Sequence, residues 1–135
     1  MGPRSAIAAL SLVLSLVAAG PAVAVTFFQS PSRNIGCAIS KGGVRCDIGE
    51  RSWRPPPKPS WCPVDWGYGL SVARRGRGRF ICAGDTVRGM GRRLAFGRSI
   101  RRGRFICTSR TSGMRCINRR NGHGFKLSRE GARRF

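Results

Sequence analysis

The stretch Ile35-Gly36-Cys37-Ala38-Ile39-Ser40-Lys41-Gly42-Gly43-Val44-Arg45-Cys46-Asp47-Ile48 decides the fold. Cys37 and Cys46 enclose eight residues. Set opposite one another, they place Ile39 against Val44 and Ile35 against Ile48, leaving Lys41-Gly42 as a two-residue turn. Because side chains alternate across a strand, the cysteines and the apolar residues then share one face. The spacing predicts a β-hairpin stapled across its strands and buried on one side.

The same register fits seventy residues later. Cys107 and Cys116 again enclose eight residues, with Phe105 opposite Asn118, Ser109 opposite Met114, Thr111-Ser112 at the turn and Gly113 in the place of Gly43. This is a weak internal repeat. A second echo links Gly78-Arg79-Phe80-Ile81-Cys82 to Gly103-Arg104-Phe105-Ile106-Cys107, but no cysteine follows Cys82 at the hairpin distance. Elimination pairs Cys82 with Cys62. In the chain-entropy model, three loops of these lengths contribute roughly 3 kcal/mol each.

Outward from the hairpins, candidate strands fall near 25–28, 35–39, 44–48, 79–83, 94–96, 104–109, 114–118 and 124–127, separated by glycine-rich turns. No segment beyond the N-terminus keeps a helical period. The expected fold is all-β, a small disulfide-stapled domain of short antiparallel strands and hairpins, sandwich- or barrel-like. Pro55-Pro56-Pro57-Lys58-Pro59, bracketed by Trp53, Trp61 and Trp66, reads as an extended, rigid crossover between sheet segments. The three indoles are assigned to core packing, since a domain this small has little other apolar area.

The N-terminus has the three parts of an export signal: a positive Met1 to Arg4, an apolar run Ala6 to Ala19, and a Gly20-Pro21 break before the small-x-small motif Ala22-Val23-Ala24. Fourteen residues of helix rise about 21 Å, short of a hydrocarbon core of about 30 Å, so a membrane anchor fits poorly. No cysteine near the cut could carry a lipid. The expected organisation is a signal peptide over 1–24 and one secreted domain over 25–135, with no transmembrane segment after cleavage. An even set of six cysteines, all beyond the cut, fits oxidation outside the cytoplasm.

Removing residues 1–24 leaves 25 of the 26 Lys and Arg and all five acids, a formal charge of +20. Repulsion on that scale opposes compaction, which gives the cross-links a role. It also selects partners. Arg74, Arg75, Arg77 and Arg79 form one cluster and Arg101, Arg102 and Arg104 another. Together they are the candidate anion-binding surface, for teichoic acids, anionic lipid head groups or, non-specifically, extracellular DNA. No nucleic-acid module is recognisable and the aromatics are scattered, so specific nucleic-acid binding is not expected. Arginines supply 23 of the 26 cations, a bias that the codons of a GC-rich genome also produce on any solvated surface.

Metal binding is not expected, because no Cys-x-x-Cys pair occurs and His123 is the sole histidine. No cofactor is implied either. His123 with Glu50 or Glu130 and the arginines supplies the residue types of a ribonuclease-like phosphodiester hydrolase, and with Asp47, Asp65 or Asp85 those of a serine hydrolase. The second lacks a Gly-x-Ser-x-Gly elbow. Asp85 is expected to bond its own turn. A non-catalytic binding domain is therefore the preferred reading. The alternatives are that ribonuclease-like phosphodiester hydrolase, a glycan- or peptide-binding module using Trp53, Trp61, Trp66 and Tyr68, or an inhibitor module. The sequence sets no oligomeric state.

In order, FFQSPSRNIGC (27–37), VRCDI (44–48), RPPPKP (54–59), DWG (65–67), FICAGDT (80–86) and GHGFKLSRE (122–130) resemble a family of small secreted proteins of high-GC Gram-positive bacteria, catalogued only as a domain of unknown function. The resemblance runs from Phe27 to Phe135. It implies export and a single domain, and no activity. The family pattern has glycine where this chain has Arg33, and glycine there would suit a turn of positive φ.

Overall fold

The computed structural model describes residues 2–17 and 24–135. Residues 2–17 carry no regular secondary structure, and their large apolar side chains from Ile7 to Val17 are exposed. None of them enters the core. The Gly20-Pro21 break and most of the Ala22-Val23-Ala24 motif lie outside the described residues. No helix among the described residues is long and apolar enough to cross a membrane.

The fold is all-β and built as two meanders. One sheet holds β1 (Thr26–Gln29), β2 (Ile35–Ser40), β3 (Gly43–Ile48), β4 (Trp66–Ala73) and β5 (Arg79–Cys82), neighbours in chain order and antiparallel. The two-residue β6 (Arg92–Arg93) adds to β1 in parallel. The second sheet repeats the plan with β7 (Ser99–Arg102), β8 (Phe105–Arg110), β9 (Gly113–Asn118), β10 (Gly124–Leu127) and β11 (Ala132–Arg134). Both predicted hairpins form in the predicted register: Cys37 opposes Cys46, Ile39 opposes Val44, Cys107 opposes Cys116 and Ser109 opposes Met114.

Alternation carries that register into the core. Ile35, Cys37 and Ile39 of β2, Val44, Cys46 and Ile48 of β3, and Leu70 and Val72 of β4 point inward, against Phe105, Met114, Phe125 and Leu127 of the other sheet. Three disulfides join 37 to 46, 62 to 82 and 107 to 116, as the spacing and elimination require. The first and third lie fully buried at the middle of the sandwich, where Cys46 Sγ meets Cys116 Sγ at 3.8 Å. The internal repeat is thus a structural one. The Gly-Arg-Phe-Ile-Cys echo is not, since its first copy forms the edge strand β5 and its second the inner strand β8.

One polar cluster fixes the outer face of the first sheet. Asp47 lies between Gly36 on β2 and Gly69 on β4, and neither neighbour has a side chain to cover it. The segment after β5 settles into that gap. A Cβ on Gly36 would strike Arg88 and Val87, and one on Gly69 would strike Cys46 and Asp47. Asp47 is 3% exposed and accepts from Val87 N at 2.9 Å, Thr86 Oγ1 at 3.2 Å and the Arg45 guanidinium at 2.9 and 3.1 Å. Burial by itself lowers the Arg45 pKa, but hydrogen bonds and charge from Asp47 and Asp85 more than reverse it. The expectation that Asp85 bonds its own turn does not hold for its carboxylate. That group takes Arg45 Nη1 at 3.0 Å, because the buried Asp47 draws Arg45 to that side.

Several sequence expectations need correction. Strand β4 has no counterpart among the expected strands, because Gly67 and Gly69 break its alternation; Gly67, at φ 75°, stands against Pro55 of the proline segment. β7 and β11 also lie outside the expected set: each is short and has one apolar residue among polar or charged ones. The strand expected at 94–96 is a crossing segment between the sheets, and pairing stops at Arg93. The proline crossover leaves β3 and returns to β4 in the same sheet. Of the indoles, Trp53 packs on the core and donates to Ser128 O, whereas Trp61 is 68% exposed and touches Trp66 edge-on.

Candidate anion-binding site

Strand directions place four turns at one end of the sandwich. β2 rises to Lys41-Gly42 and β4 rises beside it to Arg74, since Gly43 pairs with Ala73. From the other sheet, Gly103 in the β7–β8 turn lies against Lys41. Asn118, where β9 ends, donates to Ala73 O and Arg74 O, both at 3.2 Å. Meanders that run in opposite senses therefore bring the turns of two sheets to a single pole.

What these turns carry is cationic. Lys41, Arg74, Arg101, Arg104, Arg119 and Arg120 line a cleft of about 430 Å³, with no carboxylate in its lining. Arg104 shows the strain electrically: its pKa is lowered, first by desolvation and then by the charges of Arg120 and Arg74. Bound anion would relieve that repulsion. Hydrogen bonds hold the turns in place, from Arg119 N to the main-chain Arg104 O at 2.8 Å and from Arg120 N to the side-chain Asn118 Oδ1 at 3.0 Å. The cleft is thus shaped largely by turn hydrogen bonds, and of its guanidinium groups only that of Arg101 donates within it, to Gly103 O at 3.3 Å.

The sequence clusters divide at this point. Arg74, Arg101 and Arg104 converge in the cleft, while Arg75, Arg77, Arg79 and Arg102 do not line it. Arg77 reaches Arg134 O at 3.3 Å, and Arg102 turns away to Thr26 Oγ1 at 3.2 Å. Lys41, Arg119 and Arg120 complete the set. Lys41 is legible in the sequence only as a turn residue, and its meeting with Arg104 depends on which ends the two sheets share.

The carboxylates lie elsewhere. Glu50 and Glu130 line a cavity of about 590 Å³ at the opposite pole, together with Arg33, Arg110 and Arg129. Asp47, Asp65 and Asp85 line a smaller cavity of about 330 Å³ beside β3 and β4. His123 sits in the turn before β10, its main chain bonded to Asn118 and Asn121. The structure therefore does not bring His123 together with Glu50 or Glu130. Among the described residues, no three His, Cys, Asp or Glu side chains group as metal ligands.

Arg33 adopts φ 65°, the positive-φ turn that the resemblance implied for a glycine there. The chain matches the model of the family of unknown function DUF6636 over residues 8–135. It belongs to that family. No curated protein and no solved structure matches it.

Proposed function

We propose that this chain is an exported, non-catalytic binding domain that holds anionic polymers of the cell envelope at its turn pole. The observation that carries this reading is the cleft itself, which is lined by six cations, five from four turns and Arg101 from β7, without a carboxylate. Phosphate-bearing polymers fit such a site, because guanidinium forks match phosphate oxygens and the released counterions favour association. Export is supported by the leader pattern and by three disulfides, which persist in oxidising surroundings.

Binding of inorganic polyphosphate, measured against salt concentration, tests the site. The Arg104→Glu/Arg120→Glu variant is expected to flatten the log–log salt slope by about 0.7–0.9 for each phosphate it no longer neutralises. Lys58→Glu/Arg110→Glu makes the same change in net charge away from the cleft and should leave the slope nearly unchanged. Equal losses of affinity in both variants would show that diffuse charge alone holds the polymer, and the site would be wrong. For export, the protein recovered from culture medium should begin at Val25.

A further inference from the structure

The sandwich is joined along one edge and open along the other. On the joined side, Gly78 N donates to Phe135 O at 3.1 Å, and Phe135 also pairs with Gly124 of β10. On the opposite side, β1 and β6 face β7 across a seam that belongs to neither sheet, because the two sheets share no ladder there. The chain crosses this seam through Leu94 and Ala95 on its way to β7. What remains is a groove of about 520 Å³, within the usual range of roughly 300–1,000 Å³ for small-ligand sites.

Its lining is amphipathic. Phe28 is buried at the floor, with Phe27, Leu94 and Ile100 half-buried around it. Arg92, Arg93 and Arg98 are exposed at the rim, and no carboxylate lines the groove. None of the three arginines forms an ion pair among the described residues. An apolar trough edged by unpaired guanidinium groups is complementary to a molecule with an alkyl chain and an anionic head.

We propose that this groove binds a single-chain alkyl phosphate, the chemistry of an envelope lipid's anionic end, with the chain on Phe28, Leu94 and Ile100 and the phosphate held by the rim arginines. The phosphate favours this rim because it offers three oxygens and up to two charges to separate guanidinium forks. The site is distinct from the turn-pole cleft, and neither set of lining residues includes the other's.

Calorimetry with dodecyl phosphate below its micelle concentration tests the proposal on the intact, disulfide-bonded protein. One molecule should bind per chain, and each methylene removed from the alkyl chain should weaken binding by about fourfold. The Arg92→Glu/Arg93→Glu/Arg98→Glu variant, changed only at exposed positions, should bind at least tenfold more weakly. Ile100→Asp should also lose binding, whereas Arg104→Glu/Arg120→Glu should keep it. Equal binding of dodecyltrimethylammonium, indifference to chain length, or an equal loss in the Arg104→Glu/Arg120→Glu variant would overturn the proposal. So would a rim variant that alters the oligomeric state of the free protein, since a second copy would then be the occupant.

Discussion

Cys46 Sγ lies 3.8 Å from Cys116 Sγ, so two cross-links from different sheets touch at the centre of the core. Each closes a short loop of its own hairpin, yet each is also the other's packing neighbour. Replacing Cys37 and Cys46 together by alanine is expected to destabilise the fold by about 2–5 kcal/mol. Adding the Cys107→Ala/Cys116→Ala pair should depart from additivity by about 0.5–3 kcal/mol, because the second pair then loses a neighbour already gone. Denaturant unfolding of the three variants checks both figures.

Asp47 is the anchor of the segment that follows β5. Asp47→Ala should cost about 2–4 kcal/mol, since it strands the Val87 N–H and leaves Arg45 with one acidic partner. Thr86→Val, which removes one bond to the same carboxylate, should cost only about 0.5–1.5 kcal/mol. The Arg45 pKa is raised on folding, so its share of the stability is present below the unfolded pKa. That share is lost only as pH climbs through the folded value, in the strongly alkaline range. Urea midpoints for the two variants should therefore keep their order across neutral pH.

Arg33 holds a left-handed backbone conformation that strains any residue with a Cβ. Arg33→Gly is expected to stabilise the domain by about 0.5–1 kcal/mol, whereas Arg33→Ala should bring no gain. A rise in Tm with alanine equal to that with glycine would assign the effect to charge rather than to φ.

The tryptophans should separate by their surroundings. Trp53 stacks near Phe80, with ring centroids 6.2 Å apart, and its indole N–H bonds Ser128 O, so Trp53→Ala should cost about 3 kcal/mol or more. Trp61→Ala should stay within about 0.5 kcal/mol, as expected for an exposed site. Thermal unfolding of the two variants is sufficient to compare them.

The two hairpins are legible in the sequence because a cysteine pair and an apolar alternation specify the same register independently. At β4 the local pattern fails for a tertiary reason: Gly69 is needed where Asp47 and β3 come close, and Gly67 where Pro55 does. Those neighbours stand about 12 to 23 positions away in the chain, so no local period reports them. The site shows the same division. The arginine clusters are visible in composition, but which members converge depends on strand direction in both sheets. That is why Arg104 meets Arg120 and Arg74 while Arg102 points to Thr26.

The separation of the carboxylates from the turn pole gives the molecule a lasting electric moment, since none of its five acids lines that end. A negatively charged surface exerts a torque on such a body before touching it. The protein would therefore rotate during approach and land turns-first, leaving the cavity around Glu50 and Glu130 facing the medium. Docking orientation would then be selected at long range, with the final contacts only retaining what the field had already aligned.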